Sequence, residues 1–291
     1  MSGLRKALEE GRFVVTTEIA PPKGTALDEP LAKARALSAV AVNVTDNQGA
    51  NMRMCPLALA ARLIGVGVEP VLQVTCRDRN RMALQSDLLG AAALGVENLL
   101  LLSGDHARFG DHPAARSVFD LDSVQLIQAV HGLMDGVDMS GRPLQGNTEF
   151  FAGAAVAPEA EPFELMFQKF VKKVDAGAGF FQTQAVFSAE RLEFFMDAAR
   201  PLGVPVIAGV LLLKSAGMAR FLNANIPGVQ VPKALIERLE RASNPREEGV
   251  AIARESVARA RLSCQGVHLM TLGCEDRIPE ILGENDCEVG A

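Results

Sequence analysis

Tryptophan and tyrosine are absent from this chain of 291 residues, so any aromatic stacking must come from its 14 phenylalanines. Apolar runs long enough to cross a bilayer are missing, and the N-terminus lacks the charged and then apolar regions of a signal peptide. No run of Lys and Arg could follow a phosphate backbone, and the net charge is −6. We therefore expect a cytoplasmic protein with no membrane span and no nucleic-acid partner.

Cysteines spaced as CxxC are missing as well, and the five cysteines make an odd count. This usage is typical of reduced, cytosolic proteins. One group near the C-terminus has to be weighed as a metal site: Cys264, His268, Cys274 and Cys287. Their separations of 4, 6 and 13 residues fit no zinc template, so we predict independent cysteines and no metal.

What the chain does have is a regular alternation of apolar strand segments and helical segments. Short apolar runs predict strands, and apolar residues at three- and four-residue spacing predict helices between them. The predicted strands are residues 13–19, 40–45, 71–75, 98–103, 150–156, 180–183, 205–210 and 267–271. The predicted helices are residues 30–37, 55–63, 81–94, 122–134, 163–176, 189–199, 216–224, 233–242 and 246–261.

Eight strands alternating with helices predict an α/β fold, a (β/α)8 TIM barrel. We expect a single domain over residues 1–291, with an extra helical segment after the seventh strand. A doubly wound sheet is the alternative, and it would normally carry a phosphate-binding loop after the first strand. That loop, Ala-Pro-Pro-Lys-Gly at 20–24, is too stiff and wrongly spaced for a dinucleotide fingerprint.

Polar residues end seven of the eight predicted strands. In a (β/α)8 barrel the carboxyl ends of the strands meet on one face, and that face carries the chemistry. The polar strand ends are therefore a prediction of the site: Thr17-Glu18, Thr45-Asp46-Asn47, Gln73 and Thr75, Ser103-Gly104-Asp105-His106, Pro158-Glu159, Thr183-Gln184, and Thr271.

Two carboxylates at these ends are candidates for acid–base work. Glu18 lies between apolar strand residues and stiff prolines, and a carboxyl group partly withdrawn from water favours its protonated form, as a general acid requires. Asp105 follows Gly104, which lets a ligand approach the backbone closely, so one acid could transfer a proton while the other stays ionised. A rim salt bridge of Glu18 with Lys23 or Arg12 is the alternative, as is a turn-stabilising role for Asp105.

The segment from Lys173 to Gln184 supplies the remaining candidates. Its helix ends at Gly177, a left-handed stop, and a buried strand begins at Phe180. The amide of Gln184 comes at the tip of that strand, where α/β proteins place ligand-reading groups. Lys173 is favoured in the last helical turn by the helix dipole, and it could also meet a phosphate. The long polar loop 104–116 has the profile of a cover over the site.

In their order and spacing these motifs resemble those of the methylenetetrahydrofolate reductases, flavin-dependent barrels of one-carbon metabolism. The likeness runs over nearly the whole chain, from residue 17 to residue 282. The segments that carry it are Thr-Glu-Ile-Ala-Pro-Pro-Lys-Gly (17–24), Val-Thr-Asp-Asn (44–47), Val-Thr-Cys-Arg-Asp-Arg-Asn (74–80), Gly-Val-Glu-Asn-Leu-Leu-Leu-Leu-Ser-Gly-Asp (95–105), Asp-Leu-Asp-Ser-Val-Gln-Leu (120–126), Lys-Val-Asp-Ala-Gly-Ala (173–178) with Thr-Gln (183–184), and Ile-Pro-Gly-Val-Gln-Val-Pro (226–232).

The resemblance implies a barrel that holds FAD, or alternatively FMN, at the carboxyl ends of its strands. It also implies hydride transfer from reduced flavin to 5,10-methylenetetrahydrofolate, giving 5-methyltetrahydrofolate. Glu18 matches the general acid, Asp105 a catalytic carboxylate that contacts flavin and pterin, and Gln184 an amide that orients the substrate. The cofactor-binding positions implied by the match are Thr45, Asp46, Gln73, Ser103, Gly104, Asp105, Asp120 and Lys173.

Departures from the family pattern concern the electron donor. Where NADH-using members have a His on the third strand, this chain has Gln73, and where they have a Tyr and a His after the fifth strand, it has Ala157 and Glu161. The donor is therefore NAD(P)H or an iron–sulfur accessory subunit, and we expect a homo-oligomer. A folate-dependent methyl-transfer barrel without flavin is the alternative function, with Asp46, Asn47 and Asp105 contacting the pterin.

Overall fold

Eight strands close into a parallel barrel in which each strand pairs with its neighbours in chain order, and the eighth pairs with the first. The computed structural model describes residues 1–225 and 229–283. The (β/α)8 fold predicted from the sequence is confirmed, and every strand lies within two residues of its predicted bounds. The strands are β1 (Val14–Ile19), β2 (Ala41–Val44), β3 (Pro70–Thr75), β4 (Asn98–Leu102), β5 (Phe151–Val156), β6 (Phe180–Ala185), β7 (Val206–Leu211) and β8 (Gly266–Met270).

Helices connect the strands and begin where the sequence supplies caps. The Asp122 side chain accepts from the backbone N–H of Gln125 and forms a capping box, and Asn244 caps the helix that Pro245 opens. No helix in the described ranges is both long and apolar enough to span a bilayer. The helices are α1 (Gly3–Glu9), α2 (Asp28–Arg35), α3 (Pro56–Ile64), α4 (Arg81–Ala93), α5 (Ser123–Met134), α6 (Phe163–Asp175), α7 (Ala189–Ala199), α8 (Ala216–Asn225), α9 (Lys233–Arg241), α10 (Pro245–Ala260) and α11 (Ile278–Leu282).

Side chains that point outward from the strands pack against the helices and form the main core. Around β6, the ring of Phe170 from α6 lies 4.4 Å from that of Phe181 and 5.1 Å from that of Phe195 in α7, measured between centroids. All three rings are fully buried. Burial of each such side chain stabilises the fold by roughly 1.5–3 kcal/mol, so this cluster holds α6 and α7 against the strand that carries Gln184.

The amino-terminal end of the barrel is closed by α1, a helix that had not been predicted. Its Leu4, Ala7 and Leu8 pack against the innermost side chains of the strands, Phe180 among them. Glu69 fixes the start of the helix, because its carboxylate accepts from the backbone N–H groups of Gly3 and Leu4 at 2.7 and 2.9 Å. The barrel therefore has an apolar floor, and its opposite end is left to form the mouth.

The predicted extra segment after β7 consists of α8 and α9, which cover one side of the mouth. Ala219 of α8 and Leu239 of α9 share an apolar cluster with Ala185 and Leu211 at the ends of β6 and β7. Residues 226–228 of the motif at 226–232 lie outside the described residues.

Candidate active site

Glu18 lies at the carboxyl end of β1 and points into the barrel mouth with only 11% of its side chain exposed. Its Oε1 accepts from Gln48 Nε2 at 3.2 Å, and its Oε2 lies 3.5 Å from His268 Nε2. The rim salt bridge considered for it is wrong, because Lys23 pairs with Asp111 and Arg12 pairs with Glu10. Glu18 is therefore a nearly buried acid whose contacts are an amide and an imidazole.

Beneath Glu18 lies a layer of buried polar side chains that the sequence reasoning missed. These side chains are at most 4% exposed and come from β1, β2, β6 and β8: Thr16, Asn43, Gln182 and His268. Thr16 lies two residues before Glu18 and Asn43 two residues before Thr45, so period-two alternation puts both members of each pair on the inner face. A polar residue inside an apolar strand, as at Asn43 of β2 and His268 of β8, was the available signal.

Asp105 follows the end of β4, and neighbouring residues of β3 and the loop after it contact the backbone at this point. Gly104 has a φ of +85°, and a Cβ there would lie 3.0 Å from Cβ of Thr75 and 3.3 Å from Cβ of Arg77. The buried Arg77 donates from Nη1 to the main-chain oxygen of Asp105 at 3.3 Å. The carboxylate of Asp105 and the neighbouring Ser103 are exposed, so both are open to a ligand.

Two further predicted cofactor residues are occupied by protein partners. Asp46 is buried, and its Oδ2 accepts from both the N–H and the hydroxyl of Thr75 at 2.8 Å and from Arg79. Asp120 forms a two-pronged pair with Arg81, and these hydrogen bonds lower the pKa of its carboxyl to about 2. Both carboxylates hold the ends of β3 and the following loop, so any contact of theirs with a cofactor stays a prediction.

Thr45 and Lys173 lie in places that suit a bound cofactor. The Thr45 hydroxyl is buried and has no hydrogen-bond partner among the described residues. Lys173 donates from Nζ to the main-chain oxygen of Ala155 on β5 at 2.7 Å. Burial, together with the nearby Lys169, lowers the pKa of Lys173 to about 8.

Gln184 lies exposed at the end of β6, beside a bulge. The pairing of β6 with β7 shifts by one residue between Gln182 and Ala185. Thr183 stabilises this bulge, because its hydroxyl accepts from the N–H of Gly209 at 2.8 Å and donates to the main-chain oxygen of Gln184 at 2.6 Å. A bulge changes the direction of the side chains that follow it, and this one includes Gln184, the amide predicted from the sequence. Gln73, the remaining predicted position, is half-buried on β3.

The loop after β4 reaches the loops after β1 and β2, as expected of a cover. Asp111 pairs with Lys23 and accepts from the backbone N–H of Met52 at 2.9 Å. Gly110 lies so close to Ala50 that a Cβ there would overlap its main-chain oxygen. His106 accepts from the N–H of Arg108 and caps this turn, so its ring is engaged in loop structure.

The C-terminal cysteines and His268 do not converge. Cys264 is buried, and burial raises the pKa of its thiol to about 11. His268 faces Thr16 and Glu18 inside the barrel, and the described His, Cys, Asp and Glu residues form no group of three suited to a metal. Cys287 lies outside the described residues.

The closed parallel barrel, with an acid, a second carboxylate and an amide at the carboxyl ends of its strands, defines a (β/α)8 barrel of the kind that binds and converts small molecules at its mouth. A family model described as methylenetetrahydrofolate reductase matches residues 3–286. The chain therefore belongs to the methylenetetrahydrofolate reductase family.

Similar proteins agree with this assignment. A probable NADPH-dependent methylenetetrahydrofolate reductase of Caenorhabditis elegans is 26% identical over 77% of this chain and 33% of its own length. A probable NADH-dependent one of Oryza sativa subsp. japonica is 25% identical over 94% of this chain and 48% of its own length. The chain thus spans between a third and a half of these two relatives.

Solved structures agree on the fold. An uncharacterised protein from Clostridium thermocellum that binds two copies of 5-methyl-5,6,7,8-tetrahydrofolic acid has a TM-score of 0.64 at 15% identity, covering 99% of this chain and 98% of that one. Oxaloacetate acetylhydrolase has a TM-score of 0.54 at 12% identity, covering 94% of this chain and 81% of that one.

Proposed function

We propose that this chain reduces 5,10-methylenetetrahydrofolate to 5-methyltetrahydrofolate, with a bound flavin as the hydride donor. Membership of the reductase family supports the reaction class. The observation that carries the proposal is the environment of Glu18: a carboxyl group, 11% exposed, at the mouth of a barrel, whose oxygens face an amide and an imidazole. A group so placed can hold a proton and release it to a bound substrate.

The chain's own residues divide the work as follows. Glu18 delivers the proton that opens the five-membered ring of the substrate, and it is left as a carboxylate that Gln48 stabilises by donating to Oε1. Asp105, exposed on a backbone fixed by Arg77, binds the pterin edge and stays ionised. Gln184 orients the substrate from the opposite side of the mouth. The loop after β4 limits access of water to the reacting groups.

The mouth has features that fit a flavin. Thr45 offers a buried hydroxyl without a hydrogen-bond partner among the described residues, and Gly104 allows close approach to the backbone. Lys173 supplies a positive charge beside β5 that could meet a phosphate. Ser103 would take part as well. FAD is our preferred cofactor and FMN the alternative; when bound, the flavin would supply the hydride to the methylene carbon.

The electron source is proposed to be NAD(P)H, with an iron–sulfur accessory subunit as the alternative. The curated relatives above are named for NADPH or NADH. The half-buried Gln73 and the exposed Glu161 stand where the family resemblance leads one to expect histidines. An amide and a carboxylate would make different hydrogen bonds with a pyridine nucleotide from those that two histidines make. The electron donor therefore has to be measured directly.

The test is an anaerobic visible spectrum of the purified protein, reconstituted with FAD or FMN. We expect a flavin spectrum that bleaches with the electron donor and recovers when 5,10-methylenetetrahydrofolate is added. Bleaching by NADH or NADPH would show that the chain takes electrons directly from a pyridine nucleotide. Bleaching only by a reduced iron–sulfur protein would show that it needs a partner protein as electron donor. Failure to bind either flavin would overturn the proposal and favour methyl transfer.

A further inference from the structure

His268 lies inside the barrel, between the acid and the buried polar layer. It is 4% exposed, its Nδ1 lies 3.0 Å from Thr16 Oγ1, and its Nε2 lies 3.5 Å from Glu18 Oε2. The register of β1 and β8 places Thr16 directly beside His268, so strand pairing sets this contact. A buried imidazole that meets an acid with one nitrogen and a hydroxyl with the other has both of its polar atoms committed.

The contact with Thr16 continues across the barrel. Gln182 Nε2 donates to Thr16 Oγ1 at 3.4 Å, and Asn43 Nδ2 donates to Gln182 Oε1 at 2.6 Å. Burying polar groups is unfavourable unless they are hydrogen-bonded, and the layer below is apolar and packed. Each member of this layer has a hydrogen-bonding partner, and through Thr16 and His268 the layer reaches Glu18.

The hydrogen bonds of Thr16 point to the ring nitrogen of His268 that carries the proton. Gln182 donates to the oxygen of Thr16, so the Thr16 hydroxyl can give its own proton to another acceptor. Nδ1 of His268 lies 3.0 Å away, while the competing main-chain oxygen of Val267 lies at 3.5 Å. Donation to Nδ1 leaves the ring proton on Nε2, where it faces Glu18.

We propose that His268 is the positioning residue of Glu18: an imidazole, held by Thr16 in the Nε2–H form, that keeps the carboxyl group aimed at the substrate and stabilises its anion after the proton has left. The inference rests on the proposed function for the identity of the proton acceptor. Thr16 of β1 and Gly209 of β7 lie directly beside His268 in the sheet, and neither titrates. The titratable group in contact with the ring is Glu18.

The tautomer is tested by nitrogen NMR of histidine-labelled protein, which requires neither flavin nor folate. The chain has 4 histidines, and a His268→Gln sample identifies the signal of His268. We expect the ring proton of the neutral form to be on Nε2, because Thr16 donates to Nδ1. A neutral form protonated on Nδ1 would overturn the proposal.

The positioning role is tested by following the two half-reactions in His268→Leu and His268→Gln. In His268→Leu we expect flavin reduction by its donor to be unchanged and the folate half-reaction to slow by about 10–100-fold, the usual effect of losing an orienting partner. Glutamine places an amide N–H near the position of Nε2, so His268→Gln should recover most of the rate and keep the pH profile of the wild type. Thr16→Val, which removes the donor to Nδ1, should fall between them.

A merely structural histidine would give a different pattern. His268→Leu and His268→Gln would then slow both half-reactions together, in step with a loss of thermal stability, and equal folate rates in both variants and the wild type would also overturn the proposal. If the wild type itself reduces no folate, the proposed function fails, and the NMR measurement alone decides the tautomer assignment.

Discussion

At the residue scale, the carboxylates near the mouth differ in their partners, and this difference selects Glu18. Asp46 and Asp120 are paired with the guanidinium groups of Arg79 and Arg81. The partners of Glu18 are an amide and an imidazole, so neither the charged nor the protonated form is excluded by a permanent cation. An acid that must alternate between the two forms in each turnover needs such surroundings.

Glu18→Gln removes the transferable proton and keeps the shape of the side chain. We expect the folate half-reaction to slow by about 10²–10⁴-fold, the usual contribution of a positioned acid. Flavin binding and flavin reduction should be unchanged, since neither needs this proton. Stopped-flow measurement of the two half-reactions checks this, with the exposed Glu10→Gln as the control. Undiminished folate reduction would remove Glu18 from the mechanism.

Asp105→Asn tests the second carboxylate. Because Asp105 is exposed and its backbone is held by Arg77, the substitution removes the charge without disturbing the fold. We expect KM for the folate to rise about tenfold, roughly 1.4 kcal/mol, with a smaller change in flavin affinity. Steady-state kinetics and flavin titration measure both, against the exposed Asp135→Asn at the end of α5. A loss confined to flavin binding would contradict the assigned role.

Lys173 predicts a pH dependence of stability in the flavin-free protein. Its pKa is lowered from 10.5 to about 8 by burial, so the native state disfavours the charged form. Below about pH 8 the folded protein bears this penalty in full. As the pH rises from about 8 to 10.5, the native lysine loses its proton before the unfolded one does, and stability increases.

Urea unfolding of the wild type and Lys173→Met across that pH window measures the effect. The free energy of unfolding of the wild type should rise relative to that of the variant as the pH increases. The exposed neighbour Lys172→Met serves as the matched control and should follow the wild type. Parallel curves for the wild type and Lys173→Met would show that the lysine is not buried in solution.

At the scale of elements, the strands were predictable because each is a short apolar run, and the mouth residues were predictable because parallel strands must end on one face. The inner polar layer was not, since one polar residue such as Asn43 in an apolar strand carries no mark of its partner Gln182, 139 residues away. The β6 bulge depends on the contact of Thr183 with Gly209, which only the closed barrel brings together.

The floor helix α1 escaped prediction for a similar reason. With 7 residues it is too short to show a helical period, and its stability comes from packing on the barrel and from Glu69 at its start. The ion-pair partners of the carboxylates could not be predicted either. Nothing near Asp46 in the sequence indicates that it pairs with Arg79, 33 residues later.

Leu4→Ala tests the contribution of α1. Leu4 is fully buried against the innermost residues of the strands, so the truncation should destabilise the protein by about 2–5 kcal/mol. The mouth lies at the opposite end of the barrel, and flavin affinity should therefore be unchanged. Urea unfolding and flavin titration measure the two quantities, with Leu262→Ala, 81% exposed, as the control. A loss equal to that of the control would show that the floor is dispensable.

At the scale of the whole molecule, the described barrel is complete, although the chain spans only a third to a half of the two relatives described above. The proposed chemistry needs the mouth of one barrel: the acid, the binding carboxylate, the amide and the lysine all come from this unit. Activity in the isolated chain, or its absence until an electron-delivering subunit is added, would show whether the barrel works alone.

The closed floor has a further consequence for the order of events. With α1 closing one end and a buried layer lying beneath Glu18, solvent approaches Glu18 through the mouth. If the substrate binds there as proposed, it covers Glu18 until the product leaves. Glu18 would then regain its proton from solvent after product release, and the two events would occur in that order in every turnover.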